Sequence, residues 1–143
     1  MLRSEHEYRD AVAAIERLEQ DTIPAARARG AQEGMTAENV DELGMELELR
    51  LADLKDQTSN YERIRSGDLS MFRHVEQLGE LLIAARIAKG WTQREFAQHL
   101  EVHETQVSRD ERNTYHAITP ERLHRICEVL GLQLHLNAHF AAA

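Results

Sequence analysis

The sequence predicts an all-α chain that closes on one short β-strand. Three observations carry this. Apolar residues recur at spacings of three and four along most of the 143 residues, the period of a helix with one buried face. Only 7 Gly and 2 Pro leave little room for the many turns of an all-β fold. Apolar and polar residues alternate strictly near the C-terminal end, over residues 132–140, the period of a half-buried strand.

Residues 4–32 read as the first helix. Tyr8, Val12, Ile15 and Leu18 form its apolar stripe, and Ser4 with Glu7 has the capping-box form. Pro24 predicts a kink or short break, with Ile23 pushed out of the helical region. Gly30 and Gly34 mark the connection that follows. Thr36 caps a second helix running to about Ser66, with Gly67 just beyond its end. At 1.5 Å per residue this helix is roughly 46 Å long. Val40, Leu47, Leu54 and Tyr61 recur every seven residues, with Leu43, Leu51 and Ile64 between them. Such a seam asks for another helix. The first helix, folded back as an antiparallel hairpin, is one supplier, and the same seam of a second subunit is the other. Arg50 and Gln57 interrupt the seam, so a long coiled coil is not expected. Residues 1–70 are therefore taken as an N-terminal helical extension, and 71–143 as a second domain.

In that domain Leu78–Lys89 is a helix with Leu78, Leu81, Leu82 and Ala85 on its buried face and Gly90 as its stop. Thr92, with Glu95 three residues on, opens a short helix carrying Phe96, Ala97 and Leu100. Val102 lies at a tight turn, and Val107 plugs the angle with the next helix. Glu104, Thr105, Ser108, Arg109 and Arg112 fall on the side away from Val107 and leave a polar face open to a partner. The stretch 113–118 is a loop. Thr119 and Pro120 start the last helix, whose face is Leu123, Ile126, Cys127 and Leu130 and whose stop is Gly131. Leu132, Leu134, Leu136, Ala138 and Phe140 then alternate with polar residues. A lone strand lacks a ladder, so pairing with the same strand of a second subunit is the expectation.

Arg86, Thr92, Gln93, Ala97, Val102, Val107, Ser108, Arg109 and Glu111 carry a resemblance. They stand, without insertion, where helix-turn-helix domains of the Xre/Cro/C1-repressor family carry the same residue types. The resemblance covers roughly Leu81 to Leu132 and implies a lambda-repressor-like domain whose second helix enters a DNA groove. It implies that Glu104, Thr105 and Arg109 face the bases, with Gln106 and Ser108 beside them. It assigns Gln93 to a phosphate and to bracing the reading helix, and makes Arg94, Arg112 and Asn113 candidates for backbone contacts. It also implies a partly buried ion pair between Arg86 and Glu111. Two positions depart from the family pattern. Glu101 stands in the turn where Gly is usual and positive φ is often required, and Asp110 stands where an apolar residue usually precedes the glutamate. Arg109 has the fork to address guanine O6 and N7, Thr105 a methyl for thymine, and Glu104 an acceptor for cytosine N4.

The charge is uneven. The chain carries −8; residues 1–71 hold 9 Lys or Arg against 16 Asp or Glu, and residues 72–143 hold 8 against 9. A near-neutral reading domain implies modest affinity per subunit, because phosphate neutralisation supplies most non-specific binding. Homodimerisation on two half-sites of a palindromic operator would offset that. The expected function is thus a transcriptional regulator, a repressor, bound to double-stranded DNA. The acidic extension, ending in YERIRSG, resembles those of some Xre-type regulators and HigA-like antitoxins, so a toxin or other basic protein is the alternative partner. The single Cys127 allows no internal disulfide, and no long apolar run or leader pattern occurs. A cytoplasmic protein without a membrane partner is expected. His99/His103, His124/Cys127 and His135/His139 have ligand-like spacing, but zinc usually needs three or four converging ligands, so no metal is expected. No phosphate loop, nucleophile elbow or HExxH is present. Neither an enzyme nor a cofactor is expected.

Overall fold

The computed structural model describes residues 1–142. It separates into two compact units, Met1–Ser66 and the residues from Gly67 onward.

The first unit is a helical hairpin. Helix α1 (Glu5–Arg17) runs through a π-helical stretch, Leu18–Thr22, into α2 (Ile23–Gln32). The Ser4 side chain accepts from Glu7 N–H at 3.2 Å, but the Glu7 carboxylate takes the N–H of Arg3 instead of Ser4. Only half of the expected capping box forms. Pro24 does not break the helix either, and Ile23 stays helical at φ −68° and ψ −49°. The physical reason is the wider turn just before it. Proline lacks the N–H for an i→i−4 bond and its ring crowds that carbonyl; a π turn moves the carbonyl aside without interrupting the helix.

Helix α3 (Ala37–Arg65) is capped by Thr36, which accepts from Asn39 N–H at 3.2 Å. It returns antiparallel along α1 and α2. Contacts along its length fix the register: Tyr8 stacks on Tyr61 with centroids 4.9 Å apart, Lys55 meets Glu19 at 2.5 Å, and Arg27 pairs with Glu48. Near the turn, Gly30 lies against Val40. Of the seven-residue seam, Tyr61 and Ile64 are buried, but Val40, Leu47, Leu51 and Leu54 are only half covered. Leu43, Met45 and Leu49 are 45%, 57% and 66% exposed. Two helices cover only one side of each other, and domains ordinarily need a further layer to close a core.

The second unit packs α4 (Leu78–Ala88), α5 (Gln93–Leu100), α6 (Glu104–Arg112) and α7 (Pro120–Leu130) around one core. A single 3-10 turn, Val75–Gln77, leads into α4 and is capped by His74. Residues 82–87 of α4 are all buried, and Phe96, Ala97, Val107, Tyr115, Ile126 and Leu130 complete the interior. Helix α4 packs on α7, and α5 on both α6 and α7. Gly79 is needed where the chain after α6 crosses α4. A Cβ there would lie 1.9 Å from the Thr114 carbonyl oxygen, a backbone atom that cannot swing away.

The expected C-terminal β-strand does not form. Every regular element among the described residues is helical, and residues 132–142 follow Gly131 without regular structure. Leu136 is 88% exposed and Phe140 fully so. Alternation supplies a strand's two faces but not its hydrogen-bond partner, and among the described residues no second strand completes a ladder.

Candidate nucleic-acid interface

The turn between α5 and α6 is built from its ends inward. Thr92 and Glu95 form a full capping box: Thr92 Oγ1 accepts from Glu95 N–H at 3.2 Å, and Glu95 Oε2 from Thr92 N–H at 2.7 Å. That backbone donor holds the Glu95 carboxyl below its ordinary value. At the far end Glu101 adopts φ 58° and ψ 39°, the left-handed conformation that closes a helix. Its N–H reaches Gln98 O at 3.1 Å, and Val102 N–H reaches Ala97 O at 3.0 Å. The chain is then redirected in two residues, and His103 caps α6.

Helix α6 has a locked face and an open face. On the locked face Val107 and Glu111 are each 1% exposed. The Glu111 carboxylate takes a forked pair of bonds from Arg86 on α4, Nε to Oε1 at 2.5 Å and Nη2 to Oε2 at 2.9 Å. Gln93 Nε2 adds a third at 2.8 Å, and Arg86 Nη1 also donates to Trp91 O at 2.7 Å. One network thus ties three helices together. Removing Arg86 would strand a buried carboxylate, typically at a cost of about 3–5 kcal/mol. Asp110 supplies a second clamp. Its carboxylate meets Arg122 of α7, with Nη2–Oδ2 at 2.5 Å and Nη1–Oδ1 at 3.4 Å. An ion pair therefore holds α6 at the position where an apolar residue was the usual type.

On the open face Glu104, Thr105, Arg109 and Arg112 are exposed, while Gln106 and Ser108 are half-buried. Asn113 is exposed at the C-terminal end of α6, and Arg94 is exposed in the first turn of α5. Gln93 is half-buried and committed to Glu111 through its amide nitrogen. The fold thus puts Glu104, Thr105, Arg109 and Arg112 on one helix face, Arg94 and Gln93 on the helix before it, and Arg86 and Glu111 in the interior.

Some participants were not apparent in the sequence. His103 caps α6, yet histidine is not among the favoured capping residues and its spacing from His99 suggested metal instead. Arg122 reaches Asp110 across a loop in which Thr114, Tyr115 and Ala117 all take positive φ, a path that helical periodicity does not reveal. Two more of the histidines with ligand-like spacing make other contacts. His99 stacks on Trp91 at 4.1 Å, and His124 meets Glu128 at 3.5 Å. Among the described residues no three His, Cys, Asp or Glu side chains converge as a metal site.

Residues 77–140 match the family described as "Helix-turn-helix domain". No curated protein and no solved structure matches the chain. Over those residues the second unit is similar to a helix-turn-helix domain, the kind of element with which proteins bind DNA. Among the described residues no helix is long and apolar enough to cross a membrane.

Proposed function

We propose that the chain is a sequence-specific transcriptional regulator of the Xre type, acting in the cytoplasm as a homodimeric repressor on a palindromic operator. One observation carries the reading. The second helix of the helix-turn-helix is bonded into the core by Glu111 and Asp110, while Glu104, Thr105, Arg109 and Arg112 stand open along its other side. A rigid helix with a free polar face is what groove readout requires. Arg109 is the guanine reader, Thr105 and Glu104 tune the neighbouring positions, and Arg94 and Arg112 hold phosphates.

The test is fluorescence anisotropy with duplexes from upstream of the protein's own gene, over a range of salt. Wild type should prefer one duplex over its scrambled form, with affinity falling as salt rises. Arg109→Ala should weaken the preferred duplex by about 1–3 kcal/mol and relax its sequence preference. Equal binding to both duplexes, unaltered by the substitution, would refute the reading at that site.

A second reading rests on the hairpin. Its exposed Leu43, Met45 and Leu49 lie on a helix whose residues 38–56 hold seven Asp or Glu against one Arg and one Lys. Such a surface suits a basic protein partner, as in an antitoxin that binds its toxin and represses its own operon.

A further inference from the structure

His103 does more than end a loop. Its Nδ1 lies 3.3 Å from Thr105 N and 2.9 Å from Thr105 Oγ1. The first contact decides the chemistry of the ring. A backbone amide can only donate, so Nδ1 must accept, and the imidazole proton must sit on Nε2. The second contact follows from the first. An Nδ1 that carries no proton can meet a hydroxyl only as acceptor, so the single hydroxyl proton of Thr105 points back at His103. What Thr105 presents outward is a methyl group and the lone pairs of an oxygen whose proton is already committed.

We infer that His103 is a positioning residue that sets which base Thr105 reads, by turning a side chain able to donate or accept into one that only accepts. This rests on the DNA-binding reading of α6. In the major groove adenine offers its N6 amino group and cytosine its N4 amino group, whereas guanine offers only the acceptors N7 and O6. Thr105 held in this way accepts from adenine or cytosine, or lays its methyl on thymine, and it turns away from guanine. Serine or threonine without such a partner addresses any base. The restriction thus comes from a neighbour that need not touch the base.

The experiment measures binding to a set of duplexes in which each position of the operator carries each of the four base pairs. Wild type, Thr105→Val and His103→Ala are compared, with a thermal melt of each variant. Thr105→Val identifies the position Thr105 reads, because it keeps the methyl and removes the hydroxyl. At that position wild type should disfavour guanine on the contacted strand by about two- to tenfold, the range of one neutral hydrogen bond. His103→Ala should erase that discrimination and leave the other positions unchanged. Loss of the cap alone would lower the melting temperature and weaken all duplexes by one common factor; that outcome overturns the inference. So does a Thr105→Val variant that alters no position while Arg109→Ala still alters one. If wild type shows no preference at any position, it is the DNA-binding reading that fails. Long-range 1H–15N spectra of the free protein give an independent check: the His103 ring should carry its proton on Nε2, and a proton on Nδ1 would overturn the inference without any DNA.

Discussion

Tyr115 shows how tightly single side chains are held in the second unit. It is 5% exposed, and its hydroxyl has no hydrogen-bond partner among the described residues. Burial first, and then the nearby Glu111 and Asp110 charges, push its phenol well above the ordinary value of 10.0. The folded state therefore holds this proton more firmly than the unfolded state does. The stability linked to it is full below pH 10 and is lost as pH rises above that value. Tyr8, hydrogen-bonded to Glu62, and Tyr61, raised by its burial, act in the same direction. Denaturant unfolding at a series of pH values should show stability declining above pH 10, and Tyr115→Phe should decline less steeply. At pH 7 the same substitution removes an unsatisfied buried hydroxyl and should be neutral or stabilising by about 1 kcal/mol. A loss of stability at pH 7 would show that the hydroxyl has a partner after all.

At the level of elements, most helix ends follow from the residues that stand there. Ser4, Thr36, Thr92 and Thr119 each accept a backbone N–H of the first turn they precede. Gly131 closes α7 in the left-handed region at φ 64°, and α5 closes in the same way with Glu101 at φ 58°. A residue with a Cβ is disfavoured there and glycine is not. Glu101→Gly should therefore raise the melting temperature, by up to about 1 kcal/mol of stability; a lower melting temperature would mean that the Glu101 side chain makes a compensating contact. These ends were legible because caps act locally. Less local features were not. Pro24 announces that a helical bond is missing, but a kink, a break or a wider turn would each absorb it, and the wider turn at Leu18–Thr22 won. The alternation after Gly131 describes a strand without naming its partner, and the strand is absent. On α6 the open face was readable from helical spacing around Val107, and the Arg86–Glu111 pair from the resemblance. The bond between Asp110 and Arg122 was not, because it depends on how the intervening loop folds.

Across the whole molecule, the negative charge is concentrated in the hairpin, which also exposes Leu43, Met45 and Leu49. Self-association through its half-covered seam would bury Leu43, Leu47 and Leu54 and supply the missing layer. Light scattering should then report twice the monomer mass for the full chain and the monomer mass for a fragment beginning at Gly67. A full chain that stays monomeric at every concentration would remove the dimer from the proposal. The sequence contains a single tryptophan, Trp91, and it lies in the second unit, stacked on His99 with its carbonyl oxygen bonded to Arg86. The hairpin contains the stacked pair Tyr8 and Tyr61 instead. The protein is thus already labelled for optical work. Indole emission follows the second unit alone, so comparing it with total helicity by circular dichroism during unfolding would tell whether the two units melt together or one after the other, with no dye or added chromophore.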